Sequence, residues 1–210
     1  MMPFKSISIL SGPSFSNEVS QSLPTAVTLA TKDKKDFENI SKLIPNKEFR
    51  IYYSNDLIGT QIGGALKNIY AIAAGIAEGL NLGENAKSAL ISRSFAEMAR
   101  YAKKFKADKN TLFGLSGLGD LILTCSSKNS RNTQFGIKLA SSKYDNFLDL
   151  LKSQEVTEGY YTVKAVYNIS QKKNIDMPIM ESVYNILYKQ HDLKEELSNL
   201  LSRPITEEKI

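Results

Sequence analysis

The spacing of apolar residues changes character near residue 55. Before that point the apolar residues come in short runs rich in β-branched and aromatic side chains. Ser6–Ser11 (SISILS), Thr25–Thr31 (TAVTLAT) and Glu48–Tyr53 (EFRIYY) each read as a strand. Gly12-Pro13-Ser14 follows the first run and suits a strand-to-helix turn, with Pro13 at the first helical position. Asp33–Ile44 reads as a helix with Phe37, Ile40 and Ile44 inward and Pro45 beyond its end. Residues 1–54 therefore alternate strand, helix, strand, helix, strand, a pattern typical of a parallel sheet.

Beyond Asn55 the period becomes helical. In Leu57–Leu80, Ile62, Leu66, Ile69, Ala73, Ile76 and Leu80 recur at steps of three and four, the stripe of a core-facing helix. A second stripe of small residues, Gly63, Gly64, Ala71 and Ala74, shares the face of Lys67. The run is nearly long enough to cross a bilayer, but Gln61, Lys67, Asn68 and Glu78 interrupt it, so a buried helix is expected. Glu84–Ala107 carries an apolar stripe of Ile91, Phe95, Met98, Ala102 and Phe105. Arg93, Glu97, Arg100 and Lys104 form its expected solvated face. Gln154–Val163 is read as a connection between helices. Further amphipathic helices are expected over Val166–Lys173, Pro178–Gln190 and Leu193–Leu201, with Tyr184, Leu187 and Tyr188 in packing positions. The expected fold is mainly α: a partial α/β segment over residues 1–54, then an all-helical domain over residues 55–210.

Composition narrows the function classes. The chain of 210 residues has a net charge of +5, with lysines spread along it and no basic cluster interleaved with aromatics. Nucleic acid is a poor fit, while anionic small molecules are weakly favoured. One cysteine, Cys125, excludes an internal disulfide and suits a reducing compartment, the cytoplasm. With one histidine besides, a zinc site is a poor fit, and His191 is read as exposed and structural. The N-terminus has neither a long apolar run nor a small-residue cleavage pattern, so no signal peptide is expected.

Candidate chemistry begins with Lys67, the only charged residue between Asp56 and Glu78. A lysine desolvated on a face of small residues acquires the lowered pKa of a catalytic amine; alternatively its stem snorkels to water. Asp120, in Leu115–Ser127 (LSGLGDLILTCSS), is the only charge between Lys109 and Lys128. It reads either as an ordinary residue at a helix start or as a carboxylate set opposite Lys67. Ser130 can open a helix whose N-terminus, with Arg131 and Asn132, makes a phosphate site, or the stretch is a solvated polar loop.

Taken in order, SGPSF at 11–15, GGALKN at 63–68, GLGDLILT at 117–124, SRN at 130–132 and VTEG at 156–159 resemble the NAD(P)-dependent glycerol-3-phosphate dehydrogenases. The resemblance implies a helical domain of the 6-phosphogluconate-dehydrogenase C-terminal type behind a partial Rossmann-like segment. It implies that Lys67 is the general base for the C2 hydroxyl and that Asp120 is its paired carboxylate. It places Asn68, Thr124, Gly12 and Ser14 around the substrate, and Ser130, Arg131 and Asn132 at its phosphate. Ser16, Arg131, Val156 and Glu158 would border the dinucleotide, NAD or NADP. Tyr161 stands where the family has an arginine. The family's glycine-rich loop precedes SGPSF and has no counterpart among these residues.

The reaction implied by the resemblance is reversible hydride transfer between glycerol 3-phosphate and dihydroxyacetone phosphate. The expected partners are that small phosphorylated substrate and a companion polypeptide carrying the glycine-rich half, without which no turnover is expected. Neither nucleic acid nor membrane insertion is expected. The unpaired edge of a small sheet also favours association, a homo-oligomer included. The alternatives are an inactive helical remnant serving as an oligomerisation or ligand-binding module, and a related dehydrogenase acting on another substrate.

Overall fold

A computed structural model of the chain describes residues 6–44, 47–141, 157–204 and 207–208. Strands β1 (Ser8–Ser11), β2 (Thr25–Thr31) and β3 (Phe49–Ser54) form one sheet in that order. Helix α1 (Ser16–Ser20) lies between the first two strands and α2 (Lys34–Lys42) between the last two. β2 and β3 pair parallel, Val27 opposite Ile51, as the α2 crossover requires. β1, however, pairs antiparallel to β2, Ser8 opposite Thr31 and Ser11 opposite Thr28. The expected all-parallel sheet is corrected on this point. An antiparallel return needs no crossover along the sheet, and residues 12–24 bring β1 and β2 side by side on the edge of β2 that β3 leaves open. Phe37, Ile40 and Ile44 are half-buried rather than fully inward. Pro45 lies outside the described residues.

β3 runs directly into α3 (Leu57–Gly79), the axis of the helical part. Asp56 caps α3 by accepting from Gly59 N at 2.9 Å, and its other oxygen accepts from Asp108 N at 2.8 Å. Around α3 stand α4 (Gly83–Lys104), α5 (Lys109–Phe113), α6 (Asp120–Ser126), α7 (Arg131–Ala140), α8 (Glu158–Lys173) and α9 (Pro178–Lys189). α10 (Leu193–Leu201) packs on α9. Among the described residues, no helix is long and apolar enough to cross a membrane.

The apolar stripe of α3 is buried as its period predicts: Leu66 and Ile69 are fully buried, Ile62, Ala73 and Ile76 nearly so. The stripe of small residues behaves differently from expectation. Gly63, Ala71 and Ala74 are buried too, and of the four only Gly64 stays partly open beside Lys67. A Cβ on Gly63 would lie 2.1 Å from Ser116 O, so the small side chains let neighbouring backbone pack directly onto α3. That neighbour is a π-turn, Leu115–Gly119, with Gly119 N bonded to Gly114 O at 3.2 Å. α8 starts at Glu158, ahead of the expected Val166. Tyrosines seam it to α9: Tyr167 stacks on Tyr184 with ring centres 3.7 Å apart, and Tyr188 donates to Tyr160 O at 2.8 Å.

The expected solvated face of α4 needs a second correction. Glu97 is only 1% exposed. Its carboxylate accepts from Ile179 N at 2.6 Å, Met180 N at 3.1 Å and Tyr70 Oη at 3.3 Å. Ile179 and Met180 are in the first turn of α9, whose N-cap position, Met177, offers no side-chain acceptor. Glu97 thus caps a helix far away in sequence. Periodicity within α4 cannot reveal this, because the unsatisfied donors belong to another element.

Burial pushes the Glu97 carboxyl up from its ordinary 4.5 to about 7, against the pull of the two backbone N–H groups. Between those values the folded chain keeps a proton that the unfolded chain releases. The stabilising contribution is therefore greatest below the window and is lost as pH rises through it, by about 3 kcal/mol. Denaturant unfolding of wild type and Glu97→Gln from pH 4.5 to 8 should show wild-type stability falling relative to the variant as pH rises. Parallel curves would remove Glu97 as a titrating group in that range.

Candidate active site

The π-turn ends where α6 begins, and Asp120 is the first residue of α6. That position turns its carboxylate toward the middle of α3. Lys67 Nζ donates to Asp120 Oδ2 at 2.6 Å. Asp120 is 2% exposed and the Lys67 side chain 22%, so the ammonium looks out while its counter-ion is enclosed. Burial raises the Asp120 pKa, and Lys67 and Thr124 oppose the shift. Thr124 Oγ1 donates to Asp120 O at 2.6 Å and lies 3.3 Å from Asp120 Oδ1, one turn further along α6. The two meanings left open for Asp120 are both realised: it starts a helix and it faces Lys67.

The pair lies on the floor of an open cleft of about 650 Å³ between the β1–α1 loop and the helices. Gly12, Ser14 and Ser16 line one wall, and the Ser14 hydroxyl donates to Gly12 O at 3.0 Å. Lys67, Asn68, Asp120 and Thr124 line the floor, and Ser130, Arg131, Asn132 and Glu158 the far wall. Every residue expected at the site that falls within the described part of the chain borders this one cleft; Val156 lies outside the described residues.

The far wall is built from helix starts. Ser130 caps α7, its Oγ accepting from Thr133 N at 3.2 Å. Asn132 is 5% exposed. Its Nδ2 donates to Asn68 Oδ1 at 3.1 Å, and its Oδ1 accepts from Gly159 N at 3.0 Å. A Cβ on Gly159 would lie 2.6 Å from Asn68 O, so α8 can begin this close to α3 only with glycine there. Arg131 and Glu158 form an ion pair at the rim. Tyr161, one turn beyond Glu158, is 66% exposed.

Several lining residues went unread in the sequence. Asn17 follows Ser16 in the first turn of α1, and Asn129 directly precedes Ser130. Their only sequence signal was adjacency to a motif. Asn68, Asn132 and Gly159 each lay in a quoted motif, but nothing in the sequence signalled that they touch, since they join α3, α7 and α8. His191 does not touch the cleft: its Nδ1 lies 2.7 Å from Glu196 Oε1, with the side chain 42% exposed. Cys125 is buried, and burial pushes its thiol up to about 12, so it is no nucleophile at neutral pH.

Fold and cleft together define a class: a partial Rossmann-like segment followed by a helical domain, with a lysine–aspartate pair in the cleft that both parts line. Comparison with known proteins makes this specific. The NAD-dependent glycerol-3-phosphate dehydrogenase C-terminus family matches residues 56–198, and the corresponding N-terminus family matches residues 1–37. The chain belongs to the NAD-dependent glycerol-3-phosphate dehydrogenase family. It is similar to the glycerol-3-phosphate dehydrogenase, NAD(P)+, of Solidesulfovibrio magneticus, 47% identical over 95% of this chain and 60% of the relative. The Francisella tularensis subsp. tularensis protein of the same name is 43% identical over 99% and 62%. Among solved structures, a glycerol-3-phosphate dehydrogenase from Coxiella burnetii superposes with a TM-score of 0.89 at 38% identity, over 94% of this chain and 61% of that one. One from Plasmodium falciparum superposes with a TM-score of 0.86 at 27% identity, over 98% and 59%. The chain thus spans about three fifths of the length of the relatives it matches.

Lys67→Met should expose the cost of the enclosed carboxylate. Removing one partner of a buried pair costs on the order of 3 kcal/mol, less here because Lys67 is partly exposed. Without Lys67 the Asp120 carboxyl rises further, so the variant should regain stability as pH falls and Asp120 takes up a proton. Thermal unfolding at pH 5 and pH 8 checks this: a deficit relative to wild type that is the same at both would contradict it.

Proposed function

We propose that this chain carries the substrate-binding and proton-handling part of a glycerol-3-phosphate dehydrogenase. The reaction is reversible hydride transfer between glycerol 3-phosphate and dihydroxyacetone phosphate. The observation that carries the reading is the contact of Lys67 with Asp120 on the floor of a cleft whose far wall is the capped start of α7.

Each residue contributes through its position. When C2 is reduced, the Lys67 ammonium gives a proton to the oxygen forming there. When C2 is oxidised, the same nitrogen takes the hydroxyl proton. Asp120 fixes Nζ at one place, and Thr124 fixes Asp120. Arg131 and the N-terminal amides of α7 receive the phosphate, so binding energy far from C2 sets the position of C2. Asn132 ties the phosphate wall to Asn68 and Gly159, and the second hydrogen of its Nδ2 is assigned to the phosphate.

NAD(P), named in the relatives, supplies the hydride acceptor. The cleft is roomier than a three-carbon phosphate requires. Its β1–α1 wall offers hydroxyl and amide groups at Ser14, Ser16 and Asn17 beside the Phe15 ring, a donor set that fits the amide-bearing ring of such a cofactor. Ser16, Arg131, Glu158 and Val156 are the residues assigned to it. No G-x-G-x-x-G turn occurs among the 210 residues, so turnover is expected only when a polypeptide supplying one is present. The cytoplasm is the compartment that suits the lone cysteine.

The assay measures absorbance of reduced cofactor with dihydroxyacetone phosphate, using the chain together with a polypeptide carrying the glycine-rich half. Lys67→Ala should abolish turnover. Retention of turnover by that variant would sink the proposal. In calorimetry, Arg131→Ala should weaken glycerol 3-phosphate at least tenfold and leave glycerol unchanged, because the lost contact is charge-assisted. Equal losses for both ligands would take Arg131 out of the phosphate site.

A further inference from the structure

Two helices begin at one corner of the cleft. α7 starts at Arg131 and α8 at Glu158, and the bond from Gly159 N to Asn132 Oδ1 holds the two starts together at 3.0 Å. Both positive dipole ends therefore meet there, beside the Arg131 guanidinium. An anion is attracted to such a corner, and one is already present. The Glu158 carboxylate, in the first turn of α8, is ion-paired through Oε1 to Arg131 Nη2. Asp120, the other carboxylate that borders the cleft among the described residues, is committed to Lys67. Neither rim partner is locked by burial: the side chains are 76% exposed for Arg131 and 55% for Glu158. The pair can therefore open without disturbing the core.

We propose that Glu158 is a resident carboxylate occupying the anion corner, which must give up Arg131 to an incoming phosphate. This rests on the assignment of Arg131 to the phosphate of the substrate. The carboxylate and the phosphate want the same guanidinium donors, and at close quarters they repel each other. Glu158 therefore weakens anion binding and selects among anions. A phosphate dianion bonds the guanidinium strongly enough to displace it, whereas a weaker monoanion does not. The opposite role, in which Glu158 merely orients Arg131 for the ligand, has the opposite sign: loss of its charge would then weaken binding.

The test is calorimetric titration of the 210-residue chain with glycerol 3-phosphate, at low and at high ionic strength. The proteins are wild type, Glu158→Gln, Arg131→Gln and the double variant. Glu158→Gln should bind glycerol 3-phosphate about three- to fivefold more tightly at low ionic strength, the size of an exposed ion pair. The gain should shrink at high ionic strength and vanish in the Arg131→Gln background. Because both side chains are exposed, melting temperatures should match wild type. Unchanged or weaker binding by Glu158→Gln overturns the proposal, as does a gain that survives without Arg131. If Arg131→Gln itself leaves affinity untouched, the phosphate assignment fails and the proposal fails with it. Binding that depends on Arg131 yet shows no gain in Glu158→Gln defeats the resident-carboxylate role alone.

Discussion

α3 is enclosed on nearly every side, yet it carries an ammonium group at its middle. Lys67 meets this constraint with Asp120 at 2.6 Å, and much of the surrounding structure is arranged to make that contact. A carboxylate at 2% exposure is costly unless it is paired and hydrogen-bonded. The π-turn before α6 brings the chain against Gly63 and starts the helix at Asp120, so the carboxylate arrives already aimed. Thr124 bonds both the backbone and the side chain of Asp120 and holds the first turn of α6 in register. The same enclosure that makes the pair necessary leaves Lys67 open to the cleft.

A second theme is the use of polar side chains from one element to satisfy the N-terminus of another. Glu97 of α4 accepts both early amides of α9. Asn132 of α7 accepts the Gly159 amide of α8. Asp56 caps its own helix and also accepts the amide of Asp108. Each such bond satisfies donors that a helix leaves open and fixes the angle between two helices. At Asn132 this device and the candidate chemistry coincide, because the residue that ties α7 to α8 also reaches Asn68 beside Lys67. Packing and function share the residue, so a substitution there changes both.

Local signals carried much of this molecule. The period of Leu57–Leu80, the capping serine at 130, the isolation of Lys67 and Asp120 in charge-poor stretches, and the ordered motifs from SGPSF to VTEG were all legible from neighbours a few positions apart. A helix stripe, a cap or a binding motif is encoded within one or two turns, so sequence spacing reports it directly. The features that stayed hidden depended on partners far away along the chain. The antiparallel pairing of β1 was decided by which edge of β2 stood open to it once β3 had taken the other. The burial of Glu97 was decided by a helix about eighty positions away whose cap lacks an acceptor. The stripe of small residues on α3 was visible in the sequence, but only tertiary packing showed that backbone of the π-turn, not a ligand, fills the space at Gly63. The sequence by itself determined which residue types could do the chemistry and on which elements they lie. The tertiary structure decided which of them touch, because contact between distant segments depends on the reach of each connection and on the need to satisfy every buried polar group.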